Sequence, residues 1–70
     1  MATHKEFLQK IGMEIKVSRI RKGLQRKDIR KMTGLDVGTI CSIENGKTNG
    51  LILSYKRIID ALEMDIKNIL

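Results

Sequence analysis

Hydrophobic residues along the chain recur every three or four positions, which is the spacing of an α-helix rather than a strand. In the first segment one helical face carries Phe7, Leu8, Ile11 and Ile15, and Gly23 follows it as a stop signal. The pattern predicts a first helix over roughly residues 4–22.

A shorter helix is predicted over Gln25 to Met32, with Ile29 facing the core. Gly34 ends this helix, because the chain must reverse there and glycine reaches positive φ without steric cost. Asp36 is then placed to begin the next helix, with its side chain accepting the Thr39 N–H as an N-cap.

The third predicted helix runs from Val37 to residue 44 or 45, with Ile40 and Ile43 facing inward and Gly46 ending it. A polar loop over residues 47–50 separates it from a fourth helix over about residues 51–62.

The fourth helix has an apolar face, and a final turn or short helix follows it. Helical spacing in the fourth helix is carried by Tyr55, Ile58 and Leu62, and the final turn holds Ile66, Ile69 and Leu70. No linker, repeat or low-complexity segment separates the predicted helices. The sequence therefore predicts an all-α protein with five helices in a single domain over residues 1–70.

The second and third predicted helices, joined by the turn at Gly34, form a helix-turn-helix over Gln25–Glu44. In that motif the second helix fits the major groove of DNA and points its leading residues at the bases. The pattern also occurs by chance in helical proteins, so it needs support from other features of the chain.

Basic residues are concentrated in the first half of the chain. Lys and Arg number 14 and Asp and Glu number 8, which gives a net charge of +6. Residues 1–31 hold ten of the basic residues and three of the acidic ones, whereas residues 32–70 hold four and five. A region of a protein with excess positive charge attracts polyanions, most commonly nucleic acid. An acidic membrane surface fits less well, because the basic residues are not confined to one face of an amphipathic helix.

The composition argues against an enzyme, a metal protein and a membrane protein. Because Cys41 is the single cysteine and His4 the single histidine, we expect no zinc cluster and no internal disulfide, and we expect a cytoplasmic location. The longest apolar run, Leu51–Leu53, is far shorter than a membrane span, and no signal peptide is visible. A chain of this length leaves no room for a separate catalytic domain, so we expect no catalytic residues and no cofactor.

A set of positions from Ile11 to Leu70 matches a known pattern without a gap. The matching residues are Ile11-Gly12, Ile15, Arg19, Lys22-Gly23-Leu24, Ile29, Thr33-Gly34-Leu35, Thr39-Ile40, Ile43-Glu44-Asn45-Gly46-Lys47, Asn49, Ile58, Ala61-Leu62 and Ile66. In these residues the chain resembles the Cro and phage-repressor type of DNA-binding domain, often called the XRE family. The resemblance implies a compact five-helix, lambda-repressor-like bundle with helices 2 and 3 on the DNA.

The resemblance also assigns two structural positions. Arg19 and Glu44 match the family's paired arginine and glutamate, which implies that they tie helix 1 to the end of helix 3. We favour this clamp over a loose surface ion pair. Arg30 departs from the family, which has alanine at this crossing of helices 2 and 3, so its side chain must splay outward or the crossing must open.

The inward direction of Ile40 and Ile43 decides which residues of the third helix can face a DNA groove. The groove-facing residues should be Val37, Gly38, Cys41 and Ser42, with Thr39 at the border. The first turn has no Arg, Gln or Asn for a bidentate base contact, so we hypothesise that specificity comes partly from DNA shape and spacing. Each of these residues is also compatible with a small solvent-facing role, and we favour packing over redox sensing for Cys41.

Phosphate contacts are expected at both ends of the motif. Arg26 and Lys27 open helix 2, where the helix dipole disfavours positive charge unless a phosphate is the partner. The resemblance supports Arg26, which takes the place of a glutamine that touches the DNA backbone and braces the recognition helix. It also implies phosphate or groove-edge contacts for Asn45, Lys47 and Thr48, although Asn45 is equally placed as an ordinary C-cap.

The chain has more apolar residues than a thin core can bury, which indicates that some of them contact a protein partner. Family members commonly dimerise through their last helices, which implies a homodimer on an inverted-repeat operator with half-sites about one turn apart. The candidate interface residues are Leu51, Ile66, Ile69 and Leu70. A second stripe on helix 1, Met13, Val17 and Ile20, is compatible with core, with a second contact, or with a docking site for another protein.

Together these features predict a small transcriptional regulator encoded by a bacterium, phage or mobile element. Among regulators, we favour a repressor. It would bind specific double-stranded DNA with helix 3 in the major groove. The alternative is a protein-interaction module or antitoxin-like protein that keeps the fold and docks a partner.

Overall fold

The computed structural model describes residues 4–47 and 52–65 and shows only α-helices as regular elements in these ranges. The helices are α1 (His4–Arg21), α2 (Arg26–Thr33), α3 (Val37–Glu44) and α4 (Ile52–Ala61). The all-α class is confirmed, but the described ranges contain four helices where five were predicted for the chain. The fifth was placed on residues 66–70, which lie outside the described residues.

One cluster of buried apolar residues joins the four helices. Helix α3 packs against α1 on one side and against α2 on the other, and α2 also contacts α4. The buried apolar residues of the described ranges are Leu8, Ile15, Ile29, Ile40, Ile43, Tyr55, Ile58 and Leu62. The inward directions predicted for α2, α3 and α4 are confirmed by this set. Burial also raises the pKa of the Tyr55 hydroxyl above its ordinary value, so this group stays neutral.

Phe7, which the sequence places on the apolar face of α1 with Leu8, Ile11 and Ile15, is not part of the core, since its side chain is 42% exposed. Leu8 and Ile15 are buried seven residues apart, and Ile11 packs against the core while only half-buried. The buried line of α1 therefore runs along the positions of Leu8 and Ile15 rather than through Phe7. Phe7 lies about 100° around the helix from Leu8, beyond the half-buried Ile11.

The second apolar stripe of α1 is not part of the core. Met13 is 55% exposed and Ile20 is 56% exposed, while Val17 is half-buried. These residues lie on the side of α1 turned away from Ile15, which packs inward. Of the three interpretations open for this stripe, burial in the core is excluded.

Helices α1 and α3 cross in close contact at Gly12. A Cβ on Gly12 would overlap the Ile43 carbonyl oxygen and lie 2.7 Å from that of Glu44. Both atoms belong to the backbone at the end of α3, so they cannot move aside as a flexible side chain would. Glycine at this position brings the two helices close enough for residues on α1 to reach the end of α3.

We predict that Gly12→Ala lowers the free energy of unfolding by about 1–3 kcal/mol, because the added methyl group overpacks a backbone contact. This loss exceeds the gain of ~0.5–1 kcal/mol that alanine brings to a helix interior. Urea denaturation followed by circular dichroism measures the change. Gly38→Ala on α3 is the matched control, since apart from its chain neighbours and the nearby backbone of α3, no described atom lies within 4 Å of its Cβ position. A Gly12→Ala protein as stable as the original chain would contradict the close crossing.

Candidate nucleic-acid interface

The turn between α2 and α3 is fixed by local hydrogen bonds. Gly34 adopts φ 79°, in the left-handed region that glycine enters without strain, and its N–H donates to the Arg30 carbonyl at 2.8 Å. The Thr33 hydroxyl donates to the Ile29 carbonyl at 2.7 Å and accepts the Leu35 N–H at 3.1 Å. These contacts set the direction in which α3 leaves α2, as the helix-turn-helix interpretation requires.

The side-chain cap predicted for α3 is absent, and α2 begins with a side-chain contact that was not predicted. At α3, the Asp36 side chain makes no capping hydrogen bond within the described residues, so the predicted bond to the Thr39 N–H is wrong. Asp36 has the extended backbone of an N-cap, but its side chain lies exposed, where water competes for the carboxylate. At α2 the Asp28 carboxylate reaches back and accepts the Gln25 N–H at 2.8 Å.

The exposed face of α3 contains the residues predicted to face a groove. Ile40 and Ile43 are fully buried on the opposite face, and Val37 is 38% exposed. Gly38 and Thr39 are exposed, whereas Cys41 and Ser42 are half-buried. The face is built from small side chains, so the backbone of α3 lies close to its outer surface.

Three charged side chains from three helices meet beneath this face; we call them the Glu44 node. Arg19 donates from Nε to Glu44 Oε2 at 2.8 Å and from Nη2 to Glu44 Oε1 at 3.3 Å. Arg26 donates from Nε to the same Oε1 at 3.1 Å. A further bond, from Arg19 Nη1 to the Leu24 carbonyl at 2.9 Å, fixes the link between α1 and α2.

The Glu44 node extends the predicted clamp by one residue. The geometry agrees with the Arg19–Glu44 pair expected from the sequence, whereas the contact of Arg26 with Glu44 was not predicted. Because 18 residues separate Arg26 from Glu44, no local spacing could have indicated this contact. The Glu44 side chain is fully buried and that of Arg19 is 10% exposed, while that of Arg26 is 34% exposed.

The charge balance of the Glu44 node leaves one positive charge in excess, since two guanidinium groups share one carboxylate. Arg26 is the outermost member, so the excess charge lies toward the surface at the beginning of α2. Buried ion pairs are stable only when their hydrogen-bonding groups are satisfied. In the described part of the chain, no buried side-chain nitrogen or oxygen lacks a partner.

The remaining candidate phosphate contacts lie at the surface around α2 and the end of α3. Lys27, Asn45 and Lys47 are exposed, and the Asn45 amide donates to Cys41 Sγ at 3.4 Å. The Lys47 N–H donates to the Ser42 carbonyl at 2.9 Å, which places Lys47 directly after α3. Thr48 lies outside the described residues, as do the dimer candidates Leu51, Ile66, Ile69 and Leu70.

Of the two outcomes expected for Arg30 at the crossing of α2 and α3, the structure shows the outward side chain. Its side chain is exposed, so it splays outward from the crossing of α2 and α3. Lys27 and Lys31 are exposed on the same helix. Helix α2 therefore presents a positive surface beside the exposed face of α3, a feature that the clustering of basic residues in the first half of the chain indicated.

Neither a metal site nor a membrane-spanning helix is found in the described ranges. No three His, Cys, Asp or Glu side chains among residues 4–47 and 52–65 are grouped so as to hold a metal ion. Nor does either range contain a helix with the length and apolar character to span a membrane.

The fold is shared with a known regulator. A solved structure, the restriction-modification controller protein C.AhdI from Aeromonas hydrophila, superposes with a TM-score of 0.84 over 99% of this chain and 100% of that chain. The two sequences are 23% identical. No family model and no curated protein matches the chain. The structural likeness confirms the helix-turn-helix architecture to which the sequence resemblance pointed.

Proposed function

We propose that this protein is a transcriptional regulator that binds specific double-stranded DNA by placing α3 in the major groove. The observation that carries the proposal is the exposed, small-residue face of α3, held by the Glu44 node beside a positive α2 surface. A short helix reads a groove only if its neighbours hold it rigidly. The structural likeness to a restriction-modification controller protein adds support at the level of the fold.

In this proposal the base-facing residues are Val37, Gly38, Thr39, Cys41 and Ser42. None offers the paired donors that read guanine or adenine bidentately, so DNA shape and half-site spacing supply part of the specificity. Val37 can meet a thymine methyl group, and Ser42 can bond to several bases.

Phosphate contacts position the protein on the duplex. We assign them to Arg26, Lys27, Asn45, Lys47 and Thr48. Arg26 then has two partners: its Nε stays on Glu44, and its outer side chain, 34% exposed, turns toward the DNA backbone.

We further propose that two copies bind an inverted-repeat operator in the cytoplasm and that binding represses a promoter by covering it. Two-fold symmetry of a dimer is matched by palindromic half-sites about one helical turn apart. The dimer contact would be formed by Leu51, Ile66, Ile69 and Leu70.

A second candidate function, docking of a protein partner, is favoured by one observation. Met13 and Ile20 are more than half exposed on a face of α1 that the core does not use. A protein-interaction module would use this face, and its binding would be indifferent to charge reversal at Arg26 and Lys47.

Selection of bound duplexes from a random pool tests the proposal. We expect enrichment of a palindromic site and footprint protection of one face of the duplex. The enriched sites should share a half-site spacing and deformable base steps. These features should be as consistent among the sites as the identity of individual bases. If no sequence is enriched and no base is protected, the DNA-binding proposal is wrong and the protein-docking candidate is favoured.

A further inference from the structure

Gly38 lies at the centre of the exposed face of α3. Cys41, Ser42 and Asn45 follow it at intervals of three, four and seven residues, so these four positions share one side of the helix. Ile40 and Ile43, both fully buried, define the opposite side. The most outward position of α3 thus carries no side chain.

The other described glycines each have a reason within the fold. Gly23, Gly34 and Gly46 adopt φ of 69°, 79° and 67°, which side chains of other residues rarely tolerate. Gly12 has no room for a methyl group, because the backbone at the end of α3 blocks it. Four of the five glycines in residues 4–47 are therefore explained by backbone conformation or by packing.

Gly38 has neither reason. Its φ is not positive, and apart from its chain neighbours and the nearby backbone of α3, no described atom lies within 4 Å of the position that a Cβ would occupy. A glycine inside a helix lowers stability relative to alanine, because it loses more backbone freedom on folding. The fold by itself would be more stable with alanine at this position.

We propose that Gly38 determines how closely α3 approaches DNA: the space where its Cβ would lie is occupied by the DNA in the complex. This inference rests on the proposed function, since it assigns the empty space to the same partner. With only small side chains beside it, at Cys41 and Ser42, the backbone of α3 meets the floor or wall of the groove at Gly38. Any side chain there holds the whole helix away from the DNA.

The test measures stability and DNA affinity in the same variants. Gly38→Ala should raise Tm by about 2–8 °C, from the gain in helix propensity in a domain of this size. The same change should weaken binding to the selected operator by about tenfold or more, because one added methyl group in a close-packed contact forces the surfaces apart. Gly38→Val should weaken binding further, in proportion to its size.

Met13→Ala is the control, since Met13 is 55% exposed on the face of α1 turned away from the core and is not among the residues assigned to DNA. It should leave affinity within a few-fold of the original chain. An operator affinity unchanged in both Gly38→Ala and Gly38→Val would overturn the inference while leaving the proposed DNA binding intact. A lower Tm in Gly38→Ala would also overturn it, because glycine would then be required by the fold. Failure of the original chain to bind any selected duplex would overturn both.

Discussion

Replacing Glu44 with glutamine is expected to lower the free energy of unfolding by about 3–5 kcal/mol, because removing one partner of a buried ion pair strands the other charge. The substitution keeps the size of the side chain and removes the charge that Arg19 and Arg26 share. The Arg19 side chain is 10% exposed, so its guanidinium would be left largely out of water without a counter-charge. A chain of this length has a total stability of about 4–10 kcal/mol, so a large part of it depends on this carboxylate.

Urea denaturation monitored by circular dichroism measures the loss, and the chain contains a matched control. Lys56 Nζ and Asp60 Oδ2 lie 3.0 Å apart on α4, a separation close to that of Arg19 and Glu44. Their side chains are 69% and 64% exposed, so Asp60→Asn should cost less than about 0.5 kcal/mol. If Glu44→Gln costs no more than Asp60→Asn, the Glu44 node does not hold the three helices together.

The Glu44 node also shows what the sequence could and could not predict. The pair Arg19 and Glu44 was predicted from a family pattern, since two positions 25 residues apart have no local relation. Arg26 departs from that pattern, and its contact with Glu44 depends on how α2 lies across the end of α3. Only the packed structure determines that arrangement.

Helix positions were predicted well where a periodic apolar face and a glycine stop coincide, as at Gly34 and Gly46. Two departures from the predicted pattern have local causes. Phe7 fits the helical period of α1, but the line of contact with α3 passes on the other side of Leu8. Asp36 has the residue type and backbone of an N-cap, yet its exposed side chain makes no capping hydrogen bond within the described residues, and the sequence pattern does not report this.

Replacing both Lys27 and Lys47 with glutamine is expected to weaken operator binding about 60-fold at 0.1 M salt, because each phosphate contact releases ~0.9 counterions. The slope of log K against log salt should become less steep by about 1.8. Both side chains are exposed, so the change should leave Tm nearly unaltered. Arg26 is unsuitable for this test, since its contact with Glu44 would mix a loss of stability with a loss of affinity.

The matched control removes the same charge from another surface. Lys10 and Arg21 are exposed on α1. Lys10 lies three residues before Met13 and Arg21 lies four residues after Val17, so both are on the face turned away from the core. At 0.1 M salt the screening length is about 10 Å, so charges that do not touch the duplex contribute little to affinity. Lys10→Gln with Arg21→Gln should therefore leave the salt slope unchanged. Equal losses in the two double variants would mean that a diffuse positive field binds the DNA, and the assignment of Lys27 and Lys47 to phosphates would be wrong.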